Sequence, residues 1–226
     1  MAAGARTVRV PEVAPVAAGI LEETCPMDLL DYFEMEHRES HAGDVYGRPT
    51  IIDRVFGAPR DAQMRARPAR GLNSLVWLLW HMSRTEDVAV NLVITAGEQV
   101  LDDAWARRMN VTRRDMGSGM TDDEVGELTA RADIAAVRAY HSAVGLRTRE
   151  VVRALRPDTW NEIVTEADIA RAAVAIGPRD HPPGPAYPWC GQSRARRLSG
   201  SAFGHNLVHL GEAITISGLA GFGVDL

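Results

Sequence analysis

The stretch "FGHNLVHLGEAITISG", residues 203–218, carries two histidines four apart, His205 and His209, and one charged side chain, Glu212. On a helix, residues i and i+4 project from one face a turn apart, so two imidazoles at this spacing form a bidentate clamp for a metal ion. A catalytic site for zinc or a similar ion takes a third protein ligand and leaves one position open for water or substrate. His81 fits that third place best, because it directly follows the apolar run "SLVWLLW" and its neighbourhood belongs in the interior. A lone histidine there is by default a hydrogen-bonded core residue. Three buried imidazoles would each need a separate hydrogen-bond solution, and one shared ion satisfies all of them.

Other histidines compete less well. His37 and His41 are also four apart, but "EMEHRESH" is dense with charge and sits at a helix end, which reads as a solvated segment. His141, beside Tyr140, and His181, in a Pro-rich loop, are weaker still. Glu212, near His209, is expected either to orient an imidazole or move a proton, or to sit at the pocket rim. Arg84 and Thr85 share the His81 side of their helix at i+3 and i+4. Arg84 is expected there as a substrate or metal-shell contact, with a structural ion pair as its alternative.

These residues need helices to hold them. At 100° per residue, with His205 at zero, His209 falls at about 40° and Glu212 at about −20°, while Phe203, Leu207, Leu210 and Ile214 fall between about 140° and 200°. The apolar stripe therefore lies opposite the histidines, an arrangement shared with any amphipathic helix. Glu212 is however the only charge between Leu198 and Gly221. A wet face normally carries several charges, so the pattern predicts a wall of a protein-lined pocket.

Further upstream, a first helix begins at Pro26 or Met27. A second, capped by Asn73 or Ser74 and ended by Gly97, is apolar on nearly every side from Leu75 to Trp80 and is predicted buried. "TDDEVGEL" opens with a capping box, Thr121 with Glu124. A third long helix spans about Ile134 to Leu155, and the last runs from Leu198 to about Gly218. Two irregular stretches, "EQVLDDAWARRMNVTRRDMGSGM" and "GPRDHPPGPAYPWCGQSR", follow the second and third helices and are expected to cover the pocket. In them Arg107, Arg108, Arg113 and Arg114, or Arg194, Arg196 and Arg197, either hold an anionic cosubstrate or are solvated beside acids; Trp105 and Trp189 wall the pocket or pack. Only weak strand candidates occur, near Ile163 and Val174. The expected fold is all-α, a four-helix bundle over residues 24–226, with residues 1–23 as a loosely ordered extension.

The 226 residues suffice for one core, and the net charge of −5 disfavours nucleic acid as a partner. Two cysteines, Cys25 and Cys190, belong to no CxxC pair, which excludes a thiolate zinc site and suits a reducing cytoplasm. No apolar run is long enough for a membrane span.

"LNSLVWLLWHMSRTEDVAVN" followed far downstream by "GHNLVHLGEA" resembles the DinB-like superfamily, and "DDAWARRM" and "GSGMTDDEV" also look like family features, the likeness spanning roughly residues 26–220. The resemblance implies a four-helix bundle with a divalent ion, zinc first and nickel second, at His81, His205 and His209. It also implies, among characterised relatives, isomerases and S-transferases that use low-molecular-weight thiols such as mycothiol or bacillithiol. The expected partners are a small-molecule substrate and a small thiol, with no nucleic acid and no membrane, and a homodimer is allowed for. A non-catalytic metal-binding protein and a metal-dependent hydrolase are the alternatives.

Overall fold

The computed structural model describes residues 28–178 and 186–224, so the expected N-terminal extension and His181 lie outside the described residues. Among the described residues ten α-helices form: α1 Leu29–Arg38, α2 Gly43–Tyr46, α3 Asp61–Met64, α4 Leu75–Asp87, α5 Asp103–Met109, α6 Asp122–Arg131, α7 Ile134–Ala154, α8 Glu166–Ile176, α9 Arg194–Ser199 and α10 His205–Leu219. Local chemistry sets their starts. Ser74 accepts from the Trp77 N–H at the head of α4, and Asp133 from Ala136 at the head of α7. Thr121 and Glu124 close the capping box of α6 that the sequence predicts.

α4 is the axis of the molecule, in contact with α7, α10 and α6. Every one of its residues is buried. The apolar half behaves as its all-round hydrophobicity predicts: Leu75, Leu78, Leu79, Trp80 and Met82 join Val137, Tyr140 and Val144 of α7 in the largest core cluster. Its polar half, Ser83 to Asp87, is equally buried, and each charge there must be paired within the protein. α4 runs directly into a π-helical segment, Val88–Ile94, and a second such segment, Gly200–Gly204, delivers the chain into α10. π-helical turns of this kind concentrate at functional sites.

The stretch after α4 contains more order than its composition suggests, since Asp102 caps α5 within it. Among the described residues no strand forms. Ile163 makes a lone antiparallel bridge with Ser193, and Val174 lies on α8, 85% exposed, as the β-branched outer residue of an amphipathic helix. Among the described residues no helix is long and apolar enough to cross a membrane.

Candidate metal centre

α4 and α10 bring His81, His205 and His209 together, with ligand-capable atoms all within 4.8 Å of one another. His81 Nε2 and His205 Nε2 are 3.2 Å apart, and the ring centroids of the trio lie 4.5–5.0 Å from each other. His81 is 5% exposed; the other two are half-buried, so the cluster lies at the edge of the interior.

The outer nitrogens show which way the rings present their lone pairs. His81 Nδ1 is 2.5 Å from the Met116 carbonyl oxygen, which can only accept, so the ring's proton is on Nδ1. His209 Nδ1 is 2.8 Å from Glu212 Oε2. The carboxyl of Glu212 is held below its usual range by the His209 hydrogen bond above all, and the Asn73 amide also donates to it at 2.8 Å. An ionised Glu212 only accepts, so His209 also carries its proton on Nδ1. In their neutral forms both rings turn Nε2 lone pairs inward. Burial, then the proximity of His81 and His209, pushes the pKa of His205 far below the ordinary histidine value, so this ring is neutral. Neutral imidazoles with converging lone pairs, two with their other nitrogens already bonded, are a donor set that fits a divalent ion.

Supporting residues complete the centre. Trp77 stacks on His81 with centroids 4.7 Å apart, and its indole N–H reaches Met120 Sδ. Of the two cap candidates on α4, Ser74 caps and Asn73 turns to Glu212. Glu212 thus lies in hydrogen-bond contact with both His209 and Asn73.

Arg84 is fully buried and all five of its N–H groups have partners: Asp87, the Tyr140 hydroxyl, Gln99, and the carbonyls of Arg114 and Asp115. None remains for a substrate, and the ion pair with Asp87 at 2.9 Å is the structural alternative. Asp87 in turn accepts from the Val100 and Leu101 N–H groups. The buried pair thereby pins the connector on both sides, including the backbone just before Met116, whose carbonyl fixes His81.

The other arginines mostly have partners as well. Arg113 pairs with Asp115 and Glu124, Arg114 with Asp103, and Arg194 with Glu162. Trp189 is buried against Tyr187.

The stripe on α10 needs correction. Its buried residues are Asn206, Leu210, Ala213, Ile216 and Ser217, centred at about 90° from His205 by helical geometry. Leu207 is 39% exposed and Val208 70% exposed. The core therefore takes the side between the apolar stripe and the histidines, and the histidines sit on its flank.

His37 and His41 require a larger correction. Both are 0% exposed and face Glu86 of α4. His37 Nε2 is 2.9 Å from Glu86 Oε1, and His41 Nε2 is 2.8 Å from Glu86 Oε2. The Thr148 hydroxyl donates to Oε1 and the Asn206 amide to Oε2. His141 stacks on His41 with centroids 4.4 Å apart. The surrounding charges that suggested a solvated segment point elsewhere; Glu34, for instance, pairs with Arg153. The overlooked signal was Glu86 itself, a carboxylate in a helix already predicted buried.

The chain is mainly helical, and two of its helices share a candidate three-histidine metal site. The sequence matches the DinB superfamily over residues 48–213, and the chain belongs to that superfamily. No curated protein matches it. Among solved structures it is similar to a conserved protein from Enterococcus faecalis, at 14% identity with a TM-score of 0.59, over 84% of this chain and 93% of that one. That likeness concerns the fold.

Proposed function

We propose that the protein is a divalent-metal-dependent enzyme in which His81, His205 and His209 hold the ion and a small thiol, or water, attacks a small-molecule electrophile. The single observation that carries this reading is the convergence of the three imidazoles, with the protons of His81 and His209 placed on their outward Nδ1 atoms. When bound, the ion supplies Lewis acidity that favours the anionic form of a thiol or water at neutral pH.

The chain's own residues do the rest. Met116 and Glu212 fix the tautomers of two ligands, and Asn73 holds Glu212 in place. Trp77 covers one face of His81 and limits water on that side. Arg84 and Asp87 hold the connector against α4. The thiol reading is preferred to hydrolysis because membership in this superfamily favours it; zinc is the first metal to test and nickel the second.

The experiment uses protein prepared without an affinity tag and assays small thiols against electrophiles, with and without chelator. Turnover is expected to depend on metal and to vanish in His205→Ala. Metal-independent turnover, or turnover surviving that change, would overturn the reading. Metal binding at the trio with no turnover for any thiol or for water would leave a binding protein in its place.

A further inference from the structure

The groups around Glu86 play no part in the proposed reaction, yet they contain a second set of metal-type ligands. We propose that His37, His41 and Glu86 form a second divalent-metal site, closed to substrate, whose ion ties the α1 end of the chain to α4. Two imidazoles and a carboxylate are a set that zinc takes in hydrolases and iron(II) in facial triads.

Spacing favours it. Ligand atoms of one ion at about 2.1 Å stand roughly 3.0–3.4 Å apart, depending on the angle at the metal. The two Nε2 atoms lie 2.9 and 2.8 Å from Oε1 and Oε2 of Glu86, and one ligand atom from each of the three residues falls within 4.8 Å of the others, so an ion would take the place of the hydrogen-bonding protons between them.

Charge favours it as well. Glu86 is 0% exposed, and its hydrogen-bonding partners are two imidazoles, a hydroxyl and an amide. None carries a permanent positive charge, and a buried carboxylate without one is costly. The charge must come from an imidazolium or from an ion.

The surroundings suit coordination. Thr148 and Asn206 steady the two carboxylate oxygens, and the Tyr46 hydroxyl lies 2.6 Å from His37 Nδ1. When Nε2 coordinates, the imidazole proton moves to Nδ1, and the Tyr46 oxygen can accept it. His41 Nδ1 has no hydrogen-bond partner although fully buried. Gly145 of α7 clears the space for that ring: a Cβ there would stand 2.4 Å from His41 Nδ1. Because all three ligands are 0% exposed, the site has no opening for a substrate. It is a structural clasp.

The test is elemental analysis of untagged protein expressed with added zinc and desalted. The wild type is expected to hold two zinc ions per chain. The double variant His205→Ala/His209→Ala should keep one, and adding Glu86→Gln should remove it. Should the triple variant fail to fold, cobalt(II) added to the folded double variant should give one equivalent of ligand-field absorption. A double variant that holds no ion overturns the proposal and leaves an imidazolium as the partner of Glu86. One ion in the wild type that the double variant retains would instead sink the three-histidine reading and support this one.

Discussion

Two histidine clusters hang on the same helix. In each, a pair of histidines four apart, one pair on α10 and the other with His37 on α1 and His41 just beyond its end, meets a residue of α4: His81 in one case and Glu86 in the other. They differ in access. The α10 cluster keeps two half-buried rings, whereas every member of the α1 cluster is sealed. On the readings proposed above, the same spacing serves chemistry in one cluster and cohesion in the other, and burial separates them. An open ligand set leaves room for a reactant, while a sealed one returns its interaction energy to the fold.

The sharpest way to break this contrast is to truncate each cluster and measure stability. Glu86→Ala in metal-free protein leaves two imidazoles, a hydroxyl and an amide without their shared acceptor, and should cost about 3–5 kcal/mol in urea unfolding. His205→Ala should cost far less, because that ring is half-buried and its Nδ1 already lacks a partner. Equal losses would erase the distinction.

Acid should weaken both clusters, since burial lowers the pKa of His205 in the open one as well, and it tests the sealed one next. Burial above all holds the pKa of His37 at about 4 and that of His141 at about 3, against an ordinary 6.5. The unfolded chain therefore takes up these protons first. Stability of the metal-free protein is complete above pH 6.5 and falls by about 1.4 kcal/mol per pH unit for each imidazole as pH drops toward 4. Glu86 is desolvated, but its imidazole neighbours hold its carboxyl well below the usual range, so it adds to the loss only below pH 4.5. Denaturant midpoints that stay level between pH 7 and 4.5 would mean that these imidazoles take up protons as readily in the folded protein as in the unfolded chain.

The smallest effect belongs to the open cluster. Glu212→Gln keeps an acceptor near His209 Nδ1 but removes its charge. Metal affinity should fall by roughly 10-fold, at the low end of losses for such outer partners. Stability should hardly change, and competition against a chromophoric chelator reads the difference. Unaltered affinity would mean that Glu212 does not orient His209.

Much of this was legible from residue order. The helix containing Leu75 to Trp80 announced its burial through apolar residues on all sides, and caps such as Ser74 and the Thr121–Glu124 box are local signals read without a fold. The His205–His209 spacing and the apolar approach to His81 identified the trio that the fold gathers. Periodicity failed on α10, where Leu207 is exposed and Asn206 is buried, because the angle at which a helix meets its neighbours is set by those neighbours. It failed also at His37 and His41. Local charge density suggests solvent, but Glu86 lies 49 and 45 residues away from them, so only folding reveals the partner.

Sequence by itself determined the long helical segments, capped starts such as Ser74 and Thr121, and the residue types able to bind metal, since these depend on contacts within a turn or two; the short α2, α3, α5 and α8 were not read from it. The tertiary structure alone decided which histidines are sealed, which keep an open side, and that all five N–H groups of Arg84 have partners. Burial and charge pairing are properties of surfaces brought together from distant segments, and no local pattern records them.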